Sequence, residues 1–257
     1  MGLLSNKTAF ITGATSGIGK ACAEEFAKEG ADLILSARRI EKLNEFAEIL
    51  KKDFGIKVFS FKLDVRNYQD VKNSISSLPG EWKKIDILIN NAGLARGLSK
   101  IYEGDVENWE EMIDTNIKGL LYVSRQILPL MIERQQGHVV NIGSTAGHYV
   151  YPNGNVYCAT KHAVNALTQA IRIDTVDKNI HVTSVDPGMV HTNFSNVRYS
   201  GDTAKAEEVY KGIEPLTAED IANTVLFCVT RPKHVNINEI IITPLQQASP
   251  AYVNRNK

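Results

Sequence analysis

The sequence has few cysteines, no net charge and no long apolar run, and each absence removes a class of protein. The three cysteines, Cys22, Cys158 and Cys228, are scattered without C-x-x-C spacing, so neither a disulfide framework nor a zinc site is expected. Lysine plus arginine and aspartate plus glutamate both number 29, which gives no basic surface for nucleic acid or an anionic membrane. Residues 1–8 contain no apolar signal segment, and no apolar run approaches about 18 residues. We therefore expect a cytoplasmic protein whose partner is a small molecule, without a nucleic acid, membrane or metal partner.

Short apolar strands alternate with amphipathic helices along the chain. The pattern predicts strands at 8–12, 32–37, 58–63, 85–89, 138–143, 180–185 and 237–243, with a long helix at 108–132. This alternation predicts a parallel sheet covered by helices on both faces. The polar, glycine-interrupted segment 193–214 is a candidate lid, and 244–257 form a carboxyl-terminal tail.

A glycine-rich turn joins the first strand to a helix predicted at 21–28. Its residues are Gly13, Ala14, Thr15, Ser16, Gly17, Ile18 and Gly19. Glycines allow backbone N–H groups to approach a pyrophosphate, and the helix amino end adds partial positive charge. The spacing is G-x-x-x-G-x-G, which differs from the G-x-G-x-x-G of many dinucleotide sites. A turn that is merely tight is the alternative interpretation.

Arg38 and Arg39 follow the second strand, where a dinucleotide fold faces the adenine ribose. An acidic residue there would bind the free 2′-hydroxyl of NAD, whereas an arginine accommodates the 2′-phosphate of NADP. The acid is absent and two arginines are present, so the sequence favours NADP(H) over NAD. A solvated basic turn that opens the next helix is the alternative.

Two further candidate segments follow predicted strands, and a single asparagine falls within a predicted helix. Asp64 and Val65 follow the third strand, and the small-residue turn Asn90-Asn91-Ala92-Gly93 follows the fourth. That turn would let a cofactor pass close to the backbone, although the asparagines could equally hold the turn itself. Asn116 falls on the apolar stripe of the helix at 108–132, where a buried amide needs partners. It is either a satisfied structural residue or a water-holding link in a proton path.

The segment from Gly137 to Lys161 contains the candidate acid/base chemistry. Ser144 lies just past the strand at 138–143, and Tyr157 and Lys161 are four apart, so they share one face of a helix. A positive charge about 4 Å from the phenol is worth on the order of 4 kcal/mol at an effective dielectric of about 20. This predicts a tyrosine pKa lowered by roughly 3 units from about 10, close to the working pH of a general acid/base. An ordinary exposed helix pair is the alternative.

Taken together, these motifs resemble those of the short-chain dehydrogenase/reductase family, in the same order along residues 8–192. The resemblance implies one doubly wound Rossmann-type α/β domain over 1–257, with strand order 3-2-1-4-5-6-7. It also implies a catalytic tetrad of Asn116, Ser144, Tyr157 and Lys161, with Tyr157 as the acid/base. Lys161 would also bind the nicotinamide ribose and lower the Tyr157 pKa. The implied cofactor contacts also include Asp64, Val65, Asn91, Ala92, Gly93, Pro187, Gly188, Val190 and Thr192.

The carboxyl-terminal third is similar to a narrower group, the NADP-dependent 3-hydroxy acid dehydrogenases that act on serine or L-allo-threonine. This resemblance rests on residues 193–198 and 234–238. It implies a homotetramer and hydride transfer between the 3-carbon of a small 3-hydroxy acid and nicotinamide. A broad carbonyl or diketone reductase and a non-catalytic NADP sensor are the alternatives.

A 3-hydroxy acid carries a carboxylate, so a cation is expected near Tyr157. Arg198 is the candidate, because it lies in the candidate lid and a guanidinium can hold a carboxylate with two parallel hydrogen bonds. Ser144 and Tyr157 would contact the reacting oxygen. A solvated loop arginine is the alternative for Arg198, and His148 and Arg96 are weaker candidates for the same role.

Overall fold

Seven parallel strands form one sheet in the computed structural model, which describes residues 2–256. The order across the sheet is β3-β2-β1-β4-β5-β6-β7, which confirms the predicted doubly wound α/β fold and strand order. The strands are β1 (Thr8–Thr12), β2 (Asp32–Ala37), β3 (Val58–Lys62), β4 (Ile87–Asn90), β5 (Gly137–Ile142), β6 (Ile180–Pro187) and β7 (Glu239–Ile242).

The helices cover both faces of this sheet. They are α1 (Gly17–Lys28), α2 (Ile40–Phe54), α3 (Tyr68–Ser76), α4 (Val106–Ile113), α5 (Leu120–Glu133), α6 (Asn155–Thr175), α7 (Phe194–Arg198), α8 (Thr203–Glu208) and α9 (Ala218–Val229). Apolar residues of α1, α2 and α9 pack in one core, and those of α3, α5 and α6 pack in another. Among residues 2–256, no helix is both long and apolar enough to span a membrane.

The helix predicted at 108–132 is interrupted by a π-helical segment, Asp114–Gly119, between α4 and α5. Gly119 lies against Val65, and a Cβ on Gly119 would come within 2.6 Å of that side chain. Asn116 lies in this segment and is buried. The hydrophobic period predicted a helix here, but a periodic apolar pattern does not distinguish a π turn from an α turn. Single π turns inside α-helices are frequent at functional sites.

The candidate lid contains helices, and the tail packs against it. The lid contains the two short helices α7 and α8, and Asp202 caps α8 by accepting a hydrogen bond from the Lys205 backbone. The tail folds back on this region, because the Asn256 backbone N–H donates to the Gly212 carbonyl. Residues 244–256 therefore form part of the structure around the lid.

His138 on β5 gives the fold a predictable sensitivity to acid. Its ring is buried, bonds the Thr183 hydroxyl at 2.8 Å and stacks on His181 with ring centroids 5.3 Å apart. Burial, with a smaller effect of His181, lowers the pKa of His138 to about 3. The unfolded chain instead takes up this proton near pH 6.5, so acid stabilises the unfolded state.

We expect the free energy of unfolding to fall by up to about 1.4 kcal/mol for each pH unit between roughly 6.5 and 3 because of His138 alone. Urea unfolding at a series of pH values measures this slope. His138→Gln keeps a polar side chain but cannot titrate, so its slope should be shallower over that window. An unchanged slope in His138→Gln would mean that other groups cause the acid sensitivity.

Candidate active site

A cavity of about 920 Å³ lies at the carboxyl ends of the central strands. This is the position at which open, doubly wound sheets bind their ligands. The predicted site residues that line it are Gly13, Thr15, Ser16, Gly17, Ile18, Arg38, Arg39, Asp64, Val65, Asn91, Ala92, Gly93, Ser144, Tyr157, Lys161, Pro187, Gly188, Val190, Thr192 and Arg198. Side chains that are far apart in the sequence therefore meet around one cavity.

The glycine-rich turn has the shape that a phosphate site requires. Gly13 and Gly17 adopt positive φ angles of 70° and 54°, which favour glycine. Helix α1 begins at Gly17, and the side chain of its cap, Ser16, bonds none of the described backbone N–H groups. The N–H groups of that first turn therefore remain available for an anion. The geometry fits the pyrophosphate of a dinucleotide.

Gly19 packs against Asn91 beside the cavity, and its predicted contact with the cofactor stays a prediction. It does not line the cavity, and a Cβ there would come within 2.4 Å of the Asn91 amide nitrogen. That amide donates to the Thr12 carbonyl at 2.8 Å and so joins β1 to the turn after β4. Asn91 both lines the cavity and holds the turn, whereas Asn90 is buried and bonds Asn141 within the sheet.

The arginines after β2 lie at the cavity end expected for the adenosine 2′-phosphate. Arg39 Nη2 donates to the Thr15 hydroxyl at 2.9 Å, which ties this arginine to the glycine turn. Arg38 Nη1 lies 3.8 Å from a Glu111 carboxylate oxygen. Arg66, which the sequence reading missed, binds the Asp64 carboxylate at 2.6 Å and holds the Asp64 pKa below its usual range. This end of the cavity therefore has three guanidinium groups for an anionic ligand.

Ser144, Tyr157 and Lys161 meet at the end of the cavity where the family resemblance places the nicotinamide. Ser144 follows β5, and its hydroxyl accepts a hydrogen bond from the Ala146 backbone at 3.1 Å. Lys161 is buried, and its ammonium donates to the Ile142 carbonyl at 2.8 Å. Burial lowers the pKa of Lys161 to about 8, and the nearby Asp186 carboxylate opposes that shift. Lys161 can therefore change its charge near neutral pH.

The pKa of Tyr157 moves in the direction opposite to the sequence-based expectation. Burial raises it above its ordinary value, and the Arg198 guanidinium and the Ser144 hydroxyl only partly oppose the shift. Lys161 lies 6.0 Å from the ring centroid and directs its bond to Ile142 instead. Desolvation therefore outweighs nearby positive charge, and Tyr157 is a neutral phenol at neutral pH.

Asn116 is the other predicted site residue that does not line the cavity. Its amide oxygen accepts a hydrogen bond from the Leu94 backbone at 2.9 Å, and its amide nitrogen donates to the Leu94 carbonyl and the Thr160 hydroxyl. Thr160 in turn donates to the Tyr157 carbonyl at 2.8 Å. The side chain thus joins the π segment to the turn of α6 containing Tyr157, and its place in the catalytic tetrad stays a prediction.

Arg198 lies beside Tyr157, as the sequence hypothesis required. Its guanidinium carbon is 4.8 Å from the Tyr157 ring centroid and 5.7 Å from that of Phe194. Arg198 Nη2 donates to the Tyr151 hydroxyl at 2.6 Å, while Arg198 Nε is buried without a partner among the described residues. A guanidinium with an unused donor thus lies next to the phenol. By contrast, His148 and Arg96 do not line the cavity.

His148 belongs to a separate cluster behind the cavity. Its ring nitrogen bonds the fully buried Asp186 carboxylate at 2.6 Å and lies 3.7 Å from Glu239. The ligand atoms of these three residues all lie within 4.8 Å of one another, which also suits a metal ion. The short His148–Asp186 bond explains their proximity, and the expectation that the protein holds no metal stays a prediction.

Several cavity residues were not among the site residues predicted from the sequence. Tyr151 and Phe194 line the space beside Tyr157, and Gln247 reaches it from the tail. Gln247 Oε1 accepts a hydrogen bond from the Met189 backbone at 2.8 Å, so the tail supports the 187–192 segment. Single aromatic or amide residues without spacing give no local pattern that sequence reading could find.

Known proteins resemble this chain over nearly its whole length. A family model described as short chain dehydrogenase matches residues 7–202. The NADP-dependent 3-hydroxy acid dehydrogenase of Escherichia coli is 45% identical over 239 residues, which cover 93% of this chain and 95% of the relative. The enzyme of the same name from Schizosaccharomyces pombe is 43% identical over 258 residues and 100% of both chains.

Among solved structures, the closed form of serine dehydrogenase complexed with NADP+ superposes with a TM-score of 0.90 at 43% identity. The match covers 97% of this chain and 100% of that one. The motifs, the strand order, the cavity and these similarities agree, and the chain belongs to the short-chain dehydrogenase family.

Proposed function

We propose that the protein transfers a hydride between the 3-carbon of a small 3-hydroxy acid and NADP, with Tyr157 as the acid/base. The chain is an NADP-dependent oxidoreductase that acts on CH–OH groups, and its relatives named for hydroxy acids and serine support a small hydroxy acid as substrate. The observation that carries the finer proposal is Arg198, whose guanidinium lies 4.8 Å from the Tyr157 ring centroid in one cavity.

Tyr157 transfers the proton, and Ser144 and Lys161 beside it hold the substrate oxygen and adjust the charge of the site. Bound NADP supplies or accepts the hydride at nicotinamide C4. Because the buried Tyr157 is a neutral phenol, it is suited to give its proton to the carbonyl oxygen as an alcohol forms. The Ser144 hydroxyl holds the same oxygen, and Lys161 supplies an adjacent group that titrates near neutral pH. In the oxidative direction the Tyr157 phenol must first lose its own proton, to Lys161 in its neutral form or to solvent, and the resulting phenolate then receives the substrate hydroxyl proton.

Asn116 contributes as a positioning residue. The resemblance implies that Asn116 holds a water in a proton path, and this role stays a prediction, while its side chain bonds Leu94 and Thr160. Through Thr160 it fixes the first turns of α6, which carry Tyr157 and Lys161. Its importance for catalysis follows from the placement of that pair.

Arg198 would recognise the substrate carboxylate. The Tyr151 hydroxyl and the surrounding aromatic rings hold the guanidinium in one orientation, and partial burial strengthens its attraction for an anion. Arg198 is the last residue of α7, so an acidic substrate would also attract the lid segment toward Tyr157. A neutral ketone would gain neither effect.

The first experiment is a single-turnover measurement of reduced nicotinamide absorbance with a panel of substrates. Serine, 3-hydroxypropionate and L-allo-threonine should form NADPH from NADP faster than neutral alcohols of the same size. Faster reaction of neutral ketones and diketones with NADPH would favour a broad carbonyl reductase. The absence of turnover with every substrate, despite tight NADP binding, would favour a cofactor sensor.

The homotetramer and the cytoplasmic location are also proposals. Apolar side chains of α5 and α6 remain exposed on the single chain, with Leu121 at 39% and Ile173 at 74%. Exposed apolar side chains on adjoining helices are consistent with the subunit contact that the family resemblance implies. These two helices are the ones expected to form it.

Arg38 and Arg39 should determine the preference for NADP. Charged hydrogen bonds contribute roughly 1.5–3 kcal/mol each, so the double variant Arg38→Leu/Arg39→Leu should lower the ratio of kcat/KM for NADP to that for NAD on the order of 100-fold. The effect should be greatest at low salt, since Arg38 is 54% exposed.

The matched control for that double variant is Lys42→Met on α2, which removes an exposed cation outside the cavity. It should leave the cofactor ratio unchanged. A double variant that keeps the wild-type ratio would show that the 2′-phosphate is recognised elsewhere.

A further inference from the structure

One carboxylate, that of Glu111 on α4, is shared by three arginines from different parts of the chain. Glu111 Oε2 lies 2.6 Å from Arg96 Nε, and Glu111 Oε1 lies 3.4 Å from Arg66 Nη1 and 3.8 Å from Arg38 Nη1. The Glu111 side chain is only 20% exposed, and the Arg96 hydrogen bond holds its pKa below the usual range. Glu111 is therefore an ionised, largely buried hub.

The charges around this hub do not balance. Three guanidinium groups face two carboxylates, those of Glu111 and Asp64, which leaves one positive charge without an anion within the cluster. Arg38, Arg66 and Asp64 line the end of the cavity that fits the adenosine 2′-phosphate. A phosphate there, with a charge near −2, competes with Glu111 for the same guanidinium groups.

The other side of the hub reaches the lid. Arg96 Nη1 donates to the Val197 carbonyl at 2.8 Å, and the neighbouring Gly97 N–H donates to the Arg198 carbonyl at 2.9 Å. The loop that contains Arg96 thus holds the backbone of α7 next to Arg198. One Glu111 oxygen thus contacts Arg66 and Arg38, which line the cavity, and the other contacts Arg96, which binds the lid helix.

We propose that Glu111 is a positioning residue that couples the 2′-phosphate of NADP to the lid helix α7 and so raises the affinity for acidic substrates. This inference rests on the proposed role of Arg198. Arg38 makes the longest of the three contacts, so a phosphate withdraws Arg38 from Glu111 first. The Glu111 carboxylate then forms stronger ion pairs with Arg66 and Arg96. Arg96 is fixed more rigidly, and its hydrogen bond to the Val197 carbonyl holds α7 in place. NAD lacks the phosphate and leaves the contacts shared among all three arginines.

Calorimetry measures the dissociation constant of 3-hydroxypropionate for Tyr157→Phe enzyme saturated with NAD+ and for the same enzyme saturated with NADP+. The ratio of these two constants is the coupling. This background prevents turnover during the measurement. With Glu111 intact, the acid should bind about tenfold more tightly beside NADP+, within the 5- to 150-fold range usual for coupled sites. Because coupling is reciprocal, the acid should tighten NADP+ binding by the same factor.

Glu111→Gln should bring the ratio to about one without weakening NADP+ binding, because it releases Arg38 for the phosphate. If Glu111 had only a structural role, Glu111→Gln would instead weaken the binding of both NADP+ and the acid. Arg96→Met removes the hydrogen bond to the Val197 carbonyl on the lid side. It should also bring the ratio to about one while NADP+ affinity is unchanged. Glu110→Gln, which neutralises the exposed neighbouring carboxylate, is the matched control and should keep the tenfold ratio.

Two outcomes would overturn the proposal in distinguishable ways. Equal binding of the acid with both cofactors when Glu111 is intact, or a wild-type ratio in Glu111→Gln, overturns the coupling and leaves the proposed function standing. Failure of the acid to bind with either cofactor overturns the proposed substrate class, and the coupling falls with it.

Discussion

Tyr157→Phe should lower kcat with a 3-hydroxy acid by about 10³-fold or more, while NADP affinity stays within about twofold of wild type. Positioned general acids and bases contribute roughly 10²- to 10⁴-fold. Phenylalanine keeps the ring that packs 5.7 Å from Phe194 and 4.8 Å from the Arg198 guanidinium, so the shape of the cavity persists. The loss therefore reports the missing hydroxyl rather than a collapsed site.

Steady-state rates across a pH series, together with calorimetric titration of NADP, measure this prediction. Tyr149→Phe is the matched control, since Tyr149 is exposed and its hydroxyl lies outside the cavity. That variant should turn over normally. Near-normal turnover by Tyr157→Phe at every pH would show that another group transfers the proton.

Arg198→Met should raise KM for serine or 3-hydroxypropionate by tenfold or more. Hydrogen bonds to charged groups are worth about 1.5–3 kcal/mol, and about 1.4 kcal/mol corresponds to tenfold in affinity. Methionine retains apolar contact with the rings of Tyr157 and Phe194, so the variant mainly removes charge and donors. Uncharged ketones of similar size should lose much less.

The diagnostic quantity is the ratio of kcat/KM for acidic and neutral substrates. Arg231→Met is the matched control, because Arg231 also stacks on an aromatic ring, at 4.0 Å from Phe227, but lies outside the cavity. It should leave the ratio unchanged. Equal losses of Arg198→Met on acidic and neutral substrates would mean that Arg198 supports only the lid, and would favour a broad carbonyl reductase.

The order of elements and most of the site could be predicted from the sequence because both follow from local patterns. Buried parallel strands appear as short apolar runs, and the glycine turn needs positive φ angles at Gly13 and Gly17. The carboxyl ends of parallel strands share one edge of the sheet, so residues that follow the strands, such as Arg38, Asp64 and Ser144, were expected to meet there.

Other properties depended on contacts between residues that are distant in the sequence. The tail at 244–257 gave no periodicity, yet Gln247 supports the 187–192 segment. By sequence, the side chain of Asn116 could be a structural link or a water holder, and only the structure shows that it bonds Leu94 and Thr160. Such outcomes depend on which partner lies within about 3 Å, and a local pattern does not encode that.

The sequence by itself determined the doubly wound fold and the cofactor class, and it predicted that Ser144, Tyr157 and Lys161 belong to one site. Only the tertiary structure decided the electrostatics of those groups. Spacing placed a lysine near Tyr157 and predicted a lowered pKa, but burial raises it. The cost of removing a charge from water depends on every atom packed around the group, whereas spacing along a helix records only neighbours three or four residues away.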